Sequence, residues 1–204
     1  MKILLDNGHG LDTPGKRSPM LPDGRQLREY GYTRVWADDI FQHLRYRGYD
    51  VELLVPETMD VSLKQRVKRV NQHCKALGKD NVILVSLHIN AAGSDGKWHL
   101  GRGWSCYTTK GETGADDLAT CLCKAAEKYL PGHKMRFDYA DGDPDQEENF
   151  YLLRKTRCPA VLTESLFQDN MDDCLFLMSD EGRKAIVSLH VEGIVNYLKF
   201  TENQ

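Results

Sequence analysis

The chain has 204 residues, a formal net charge of -3, 41% hydrophobic residues and 28% charged residues. This length supplies one good hydrophobic core but not clearly two, and the composition is ordinary for a soluble globular domain. The scattered basic residues create no field for nucleic acid, and no apolar run approaches the roughly 20 residues needed to cross a bilayer. We therefore expect one domain over 1–204 that neither binds nucleic acid nor spans a membrane.

The first ten residues, MKILLDNGHG, predict a buried strand that ends in a turn. A short apolar run bounded by turn residues is typical of such a strand, and the flanking glycines allow backbone angles and close approaches that a side chain would forbid. We expect His9 at the end of this strand, where open α/β sheets place their ligands. For His9 alone, an ordinary turn residue is the simpler interpretation.

We expect no export signal, because this strand begins at Lys2 and leaves no room for an apolar segment and a cleavage site. We expect either a chain made in the cytoplasm or a secreted or periplasmic one whose leader has been removed.

The six cysteines form no CxxC pair and are interpreted as reduced structural thiols, with a disulfide or two as the alternative. The sequence does not indicate an oligomeric state.

Apolar patterns predict strands that alternate with helices along the chain. Strands are expected within 1–10 and over 49–55, 81–90, 103–108 and 158–163. Helices are expected over 30–47, 62–77, 115–129, 170–177 and 181–200. The segment 11–29 is interpreted as a long loop, and 137–148 as acidic and irregular. This alternation is typical of one α/β domain with helices layered on a sheet.

Two of these helices show an apolar side that we expect to face the sheet. In the helix over 30–47 it consists of Val35, Ile40, Phe41 and Leu44. In the helix over 62–77 it consists of Leu63, Val67, Val70 and Leu77.

Three apolar strands each end in an ionisable residue of the kind that binds metals: His9, His88 and Glu164. If these strands are parallel neighbours, their ends meet at one edge of the sheet, and Glu29 follows the loop after His9. Two histidines and a carboxylate suit a catalytic zinc site, which leaves the second carboxylate as a general base. No HExxH motif is present, so the site would be assembled from distant segments. The alternative is a set of satisfied polar strand ends.

Motifs from four separated places resemble the zinc-dependent N-acetylmuramoyl-L-alanine amidases of the amidase-3 type. They are DNGHG at 6–10, RE at 28–29, SLHINA at 86–91 and CPAVLTESLFQDN at 158–170. The run YLLRKTRCPAVLTES also resembles the segment that precedes the family's catalytic glutamate. The resemblance implies one catalytic amidase domain over 1–204. It also implies a twisted, mostly parallel six-stranded sheet flanked by helices, a phosphorylase/hydrolase-like fold.

The resemblance also implies the site and the reaction. His9, Glu29 and His88 fall on the positions that bind Zn2+ in this family, and Glu164 falls on the catalytic carboxylate. The family cleaves the amide between the lactyl group of N-acetylmuramic acid and L-alanine of the stem peptide. Glu164 is expected to act as general base and then acid on zinc-bound water, and peptidoglycan or muropeptides are the expected partners. The alternatives are a zinc peptidase or amidase acting on another small amide, and a non-catalytic module that binds the cell wall.

Further residues are candidates for supporting roles. Asn90 is a candidate for orienting substrate, with a turn-stabilising role as the alternative. Arg102 is a candidate for meeting a stem-peptide carboxylate, with a solvated surface position as the alternative. Asp6 is a candidate for orienting a ligand histidine. A platform for sugar or peptide is expected from aromatic residues that follow the His88 strand, unless they belong to the core: Trp98, Trp104 and Tyr107.

The chain departs from the family pattern in three places. Asn7 stands where the family motif has proline, and the charged stretch 11–28 replaces the usual small residues before the first helix. The first change is expected to have little effect on zinc, whereas the second puts substrate contacts in doubt. The segment 139–151 is too short for the inserted regulatory helix of some members. We therefore expect an open site whose activity is limited by zinc or by substrate access.

Overall fold

The computed structural model describes residues 1–140 and 142–203. Asp141, in the segment predicted to be irregular, and Gln204, at the end of the predicted domain, lie outside the described residues. Within them, one sheet contains β1 (Lys2–Asn7), β2 (Asp50–Leu53), β3 (Val82–Asn90), β4 (Ser105–Thr108), β5 (Gln146–Glu147) and β6 (Ala160–Phe167). The helices are α1 (Glu29–Tyr46), α2 (Leu63–Leu77), α3 (Asp116–Tyr129), α4 (Tyr151–Lys155), α5 (Met171–Leu177) and α6 (Asp180–Glu202).

The sheet has the strand order β2-β1-β3-β6-β4-β5 and is parallel except for the antiparallel pair of β4 and β6. This confirms the predicted six-stranded, mostly parallel α/β fold. The three strands β1, β3 and β6 are adjacent and parallel, so their carboxyl ends lie side by side at one edge. Open α/β sheets bind ligands outside this edge.

Helices cover both faces of the sheet, and the buried side chains accordingly form two cores. In β3, Ile83, Val85 and Leu87 face the core beneath α1, α3 and α6, whereas Val82 and Leu84 face the core beneath α2 and α4. A strand that is covered on both faces has no polar side, which explains its continuous apolar run.

Two elements were not predicted from the sequence. The strand β5 lies inside the segment predicted to be irregular, and it pairs with β4 through Gln146 and Glu147 alone. The helix α4 has five residues. Both elements are too short to show a hydrophobic period, so only their tertiary contacts reveal them.

The predicted apolar sides of two helices need correction. Leu63 and Leu77 are 52% and 46% exposed, because they are the first and last residues of α2 and its buried residues lie between them. Val35 is 41% exposed, since the buried face of α1 includes Thr33 and Trp36, and Val35 lies about 100° around the helix from Trp36.

All six cysteines are free thiols, and only Cys121 is partly exposed. The predicted alternative of a disulfide is therefore not seen. Within residues 1–140 and 142–203, no helix combines the length and the apolar character that crossing a membrane requires.

Candidate active site

The carboxyl ends of β1, β3 and β6 bring three predicted site residues to the same edge of the sheet. His9 lies in the turn after β1, and His88 near the end of β3 pairs in register with Glu164 of β6. Glu29 reaches this edge as the first residue of α1. A carboxylate is favourable at that position because the amino end of a helix carries partial positive charge.

The imidazoles of His9 and His88 lie on either side of the same carboxylate oxygen. Glu29 Oε1 is 3.2 Å from His88 Nδ1 and 3.4 Å from His9 Nε2. The two rings are nearly perpendicular, with centroids 4.9 Å apart. Zinc bonds of about 2.0–2.1 Å in a tetrahedron place neighbouring ligand atoms about 3.3 Å apart. The spacing of these three side chains therefore fits a zinc ion.

Three buried atoms at the site have no hydrogen-bond partner within the described chain: His9 Nε2, Glu29 Oε2 and Glu164 Oε2. Buried polar atoms are nearly always paired, so orphaned atoms of this kind call for an explanation. Two imidazoles and a carboxylate form a donor set that zinc prefers. The residues present can therefore hold that metal.

The charges at the site are strongly coupled. Burial opposes ionisation of Glu29, yet the close contacts and charges of His88 and His9 hold its pKa well below the usual range. Burial lowers the pKa of His9. Burial also acts to lower the pKa of His88, but the hydrogen bond and charge of Glu29 outweigh it, so that the pKa of His88 is raised. A cation and a proton therefore compete for this donor set, as they do wherever metal ligands must be deprotonated.

Glu164 lies in a different environment from Glu29. The pKa of Glu164 is raised to about 7, mainly by burial, with the nearby charge of Glu29 adding to this effect and that of His88 opposing it. Two neighbouring carboxylates thus differ in proton affinity, a pattern that separates acid–base groups from permanently charged ones.

The glycines around His9 allow close approach of other groups. A Cβ added at Gly8 would lie 2.5 Å from Cε1 of His88, and one at Gly10 would lie 2.0 Å from the backbone nitrogen of Asp60. The unusual backbone angle belongs to His9 itself, whose φ is 62°. The expectation that the glycines supply unusual angles is therefore wrong, whereas the expectation of close approach agrees with the structure.

A second strained residue lies beside Glu164. Leu166 is fully buried with φ at 64°, and between His88 and Asn90 the pairing of β3 with β6 shifts by one residue. An extra residue of this kind is a β-bulge, which re-aims side chains near functional sites. His9 and Leu166 are the only non-glycine residues of the described chain with positive φ. The sequence carries no signal of this bulge, because leucine has no preference for the left-handed region.

Asp6 does not orient a ligand histidine directly, contrary to the sequence-based expectation. Its buried carboxylate accepts hydrogen bonds from Arg66 Nη1 and Ser86 Oγ, each at 2.6 Å. Arg66 also donates to the carbonyl oxygens of Asn7 and His9. Arg66 was missed because arginine in an amphipathic helix normally faces solvent. Its burial follows from its contacts with the end of β1 and the turn after it, which are distant in sequence.

The two predicted substrate residues show no shared role. Asn90 Oδ1 accepts the N–H of Ala91 at 2.8 Å, which matches its turn-stabilising alternative. Arg102 is exposed and has no hydrogen bond or ion pair within the described chain.

Two members of the predicted aromatic platform belong to the core instead, because Trp104 is 0% exposed and Tyr107 is 9% exposed. Trp98 packs partly against that core.

A groove of about 740 Å³ lies next to the site, between the segment 14–19 and the loop 91–97. Its lining includes the cationic side chains of Lys16, Arg17, Arg28 and Lys97. The charge of Lys16 acts on both His9 and Glu164, so this lysine lies close to the site.

Comparisons with known proteins identify the family of the chain. The family model Amidase_3, described as N-acetylmuramoyl-L-alanine amidase, matches residues 3–196. The amidase CwlM of Bacillus licheniformis is 28% identical over 206 residues, which cover 100% of this chain and 71% of that protein. An endolysin of Bacillus phage SPP1 is 30% identical, with coverage of 96% and 65%. The chain thus spans about two thirds of the length of these relatives.

Solved structures support the same fold. The amidase AmiC2 of Nostoc punctiforme has a TM-score of 0.76 at 22% identity, covering 98% of this chain and 97% of that one. An amidase of Clostridium difficile 630 has a TM-score of 0.76 at 23% identity, covering 97% and 96%. The family match, which extends over nearly the whole chain, confirms the resemblance carried by the motifs. The chain belongs to the Amidase_3 family of N-acetylmuramoyl-L-alanine amidase enzymes.

Proposed function

We propose that the chain hydrolyses the amide between the lactyl group of N-acetylmuramic acid and L-alanine of the peptidoglycan stem peptide. His9, Glu29 and His88 hold a zinc ion in this proposal, and Glu164 is the general base. The main support for this proposal is the spacing of 3.2 and 3.4 Å between Glu29 Oε1 and the nitrogens His88 Nδ1 and His9 Nε2. Glu29 Oε2 and Glu164 Oε2, which are buried without a hydrogen-bond partner in the described chain, lie at the same site. This spacing agrees with a zinc site and needs no rearrangement of the backbone.

Each ligand is held in place by contacts of its own. Glu29 Oε1 accepts the N–H of Ile89 at 2.9 Å, which fixes the carboxylate between the histidines. The ring of His88 lies against Gly8, where no side chain intervenes. A bound zinc ion supplies Lewis acidity, which lowers the pKa of water toward about 7 and polarises a carbonyl group.

Glu164 moves the protons in this proposal. Its buried Oε2 has no other hydrogen-bond partner, so it is available to accept a proton from the attacking water and to pass it to the leaving amine. The pKa of about 7 that burial gives this group lies near neutral pH, where a carboxylic base exchanges protons most effectively.

The stem peptide occupies the groove between 14–19 and 91–97 in this proposal. Stem peptides carry carboxylates, and the four cationic side chains that line the groove have the complementary charge. Asn90 retains a free side-chain amide donor at the end of β3, and Arg102 retains an unpaired guanidinium group. Both remain proposed substrate contacts.

The substitution Glu164→Gln tests the assigned base. It keeps the shape of the side chain but removes proton acceptance, so we expect muropeptide release to fall by about 10²–10⁴-fold. Zinc content should stay at one ion per chain, since Glu164 is not a proposed ligand. Rates follow from mass spectrometry of products from purified peptidoglycan, which also identifies the bond that breaks.

The matched control is Glu127→Gln, which makes the same chemical change on the exposed face of α3 and should keep the wild-type rate. Wild-type release by the Glu164→Gln variant would refute the role of this residue. His9→Ala and His88→Ala should each lose zinc. Unchanged zinc content in either variant would remove that residue from the ligand set.

A further inference from the structure

A second group of carboxylates lies at the other side of the fold, near the edge strand β5. Asp116 is in the first turn of α3, and Asp143 and Asp145 lie in the segment that leads into β5. Each offers one carboxylate oxygen, and these oxygens all lie within 4.8 Å of one another. The start of α3 and the segment before β5, which are distant in sequence, thus bring three carboxylates close together.

Asp145 distinguishes this cluster from an ordinary acidic surface. Its side chain is buried, at 2% exposure, and Oδ1 has no hydrogen-bond partner within the described chain. Its other oxygen accepts a hydrogen bond from the hydroxyl of Thr108 in β4. Asp143 and Asp145 form no ion pair with a described lysine, arginine or histidine. A buried carboxylate oxygen beside other carboxylates is unfavourable unless a positive partner is present.

We propose that Asp116, Asp143 and Asp145 form a site for a hard divalent cation, and that this cation is Ca2+. The donors are all carboxylate oxygens, which suit Ca2+ and Mg2+, whereas the zinc-type donor set at the active site contains two imidazoles. Ca2+ accepts irregular geometry and completes its shell with water and carbonyl oxygens, whereas Mg2+ demands a near-ideal octahedron. The site is independent of the proposed hydrolysis.

The cation would join three elements: the segment before β5, β4 and α3. Strand β5 has two residues and pairs only with β4, which is too short a ladder to be stable by itself. Through Asp145 and Thr108, the cluster connects the segment before β5 to β4, and through Asp116 to α3. In the absence of a cation, burial and the neighbouring Asp143 raise the pKa of Asp145 to about 8, so a proton takes the place of the metal.

The test is calorimetric titration of the zinc-saturated chain with CaCl2 at pH 7.5, followed by thermal melts. We expect saturable binding of one Ca2+ per chain, and a rise of about 3–6 °C in Tm at ten times Kd. The isosteric variant Asp145→Asn should weaken binding at least tenfold. The matched control is Asp117→Asn, which removes the same charge from an exposed position in the same turn of α3 and should bind as the wild type.

Three outcomes would overturn the proposal. They are the absence of saturable Ca2+ binding below about 10 mM, wild-type affinity in a folded Asp145→Asn variant, and tighter binding of Mg2+ than of Ca2+. If Asp145→Asn does not fold, the same titration is made with Asp143→Asn, which changes a less buried residue of the cluster. Wild-type Ca2+ affinity in that variant would also refute the site. Because the readout is Ca2+ binding, failure of the proposed hydrolysis would leave this result unaffected.

Discussion

His9 combines strained backbone with the proposed metal contact. A left-handed conformation costs a non-glycine residue about 1–2 kcal/mol, so surrounding contacts must hold it. The carbonyl oxygen of His9 accepts hydrogen bonds from Arg34 Nη1 at 2.9 Å and from Arg66 Nη2 at 3.4 Å. Helices α1 and α2 each supply one of these arginines. The turn is therefore shaped by the elements around it as much as by its own glycines.

Gly8→Ala tests the need for close approach at the site. The new Cβ would lie 2.5 Å from Cε1 of His88 and must displace the ring. We expect zinc affinity, measured by competition with a chelator, to fall at least tenfold. The matched control is Gly31→Ala in α1, where a Cβ meets nothing within 4 Å. Alanine is the better helix former there, so stability should rise by up to about 1 kcal/mol. Wild-type zinc affinity in the Gly8 variant would contradict this account.

Among the elements, α2 holds the turn after β1 in place. Arg66 and Asp6 form an ion pair at 2.6 Å in which the side chains are 3% and 1% exposed. Burying two charges stabilises a fold only weakly, but removal of one partner leaves the other charge uncompensated. The pair therefore matters for the position of the turn more than for net stability.

A double-mutant cycle tests this pair by urea unfolding. Arg66→Met alone should cost about 3–5 kcal/mol, because Asp6 remains buried and charged. The double variant Arg66→Met, Asp6→Asn should recover part of that loss. The exposed pair of Arg183 with Asp39 is the control, and Arg183→Met should cost no more than about 1 kcal/mol. Equal costs at the two sites would show that burial does not decide the effect.

For the whole molecule, the proposed metal site connects segments that are distant in sequence. His9, Glu29 and His88 come from the turn after β1, the start of α1 and the end of β3. These donors are together only in the folded state, so a metal bound by them stabilises that state by mass action.

Chelation tests this linkage by thermal melts. Zinc at 100 times Kd contributes about 2.7 kcal/mol, so its removal should lower Tm by about 5–10 °C, and added zinc should restore it. The His88→Ala variant should show no response to the chelator. The control variant His43→Ala changes an exposed histidine of α1 and should respond as the wild type. A Tm that is insensitive to chelation would argue against the site.

The sequence by itself determined the elements whose signals are local. The apolar runs of β1 and β3 predict buried strands, and Ser62 and Asn170 begin α2 and α5 as N-caps. The motifs around His9, Glu29, His88 and Glu164 identify the family. Each of these signals lies within a few neighbouring residues, because helical and strand periods and caps depend on short stretches of backbone.

The tertiary structure alone decided which distant groups meet. It pairs Arg66 with Asp6, places the bulge at Leu166, adds β5 to the edge of the sheet and gathers Asp116 with Asp143 and Asp145. No local pattern marks these features, because strand register and helix packing select partners that are far apart along the chain. Burial also raises the pKa of Asp145, since desolvation depends on the surroundings of a side chain and not on its sequence neighbours.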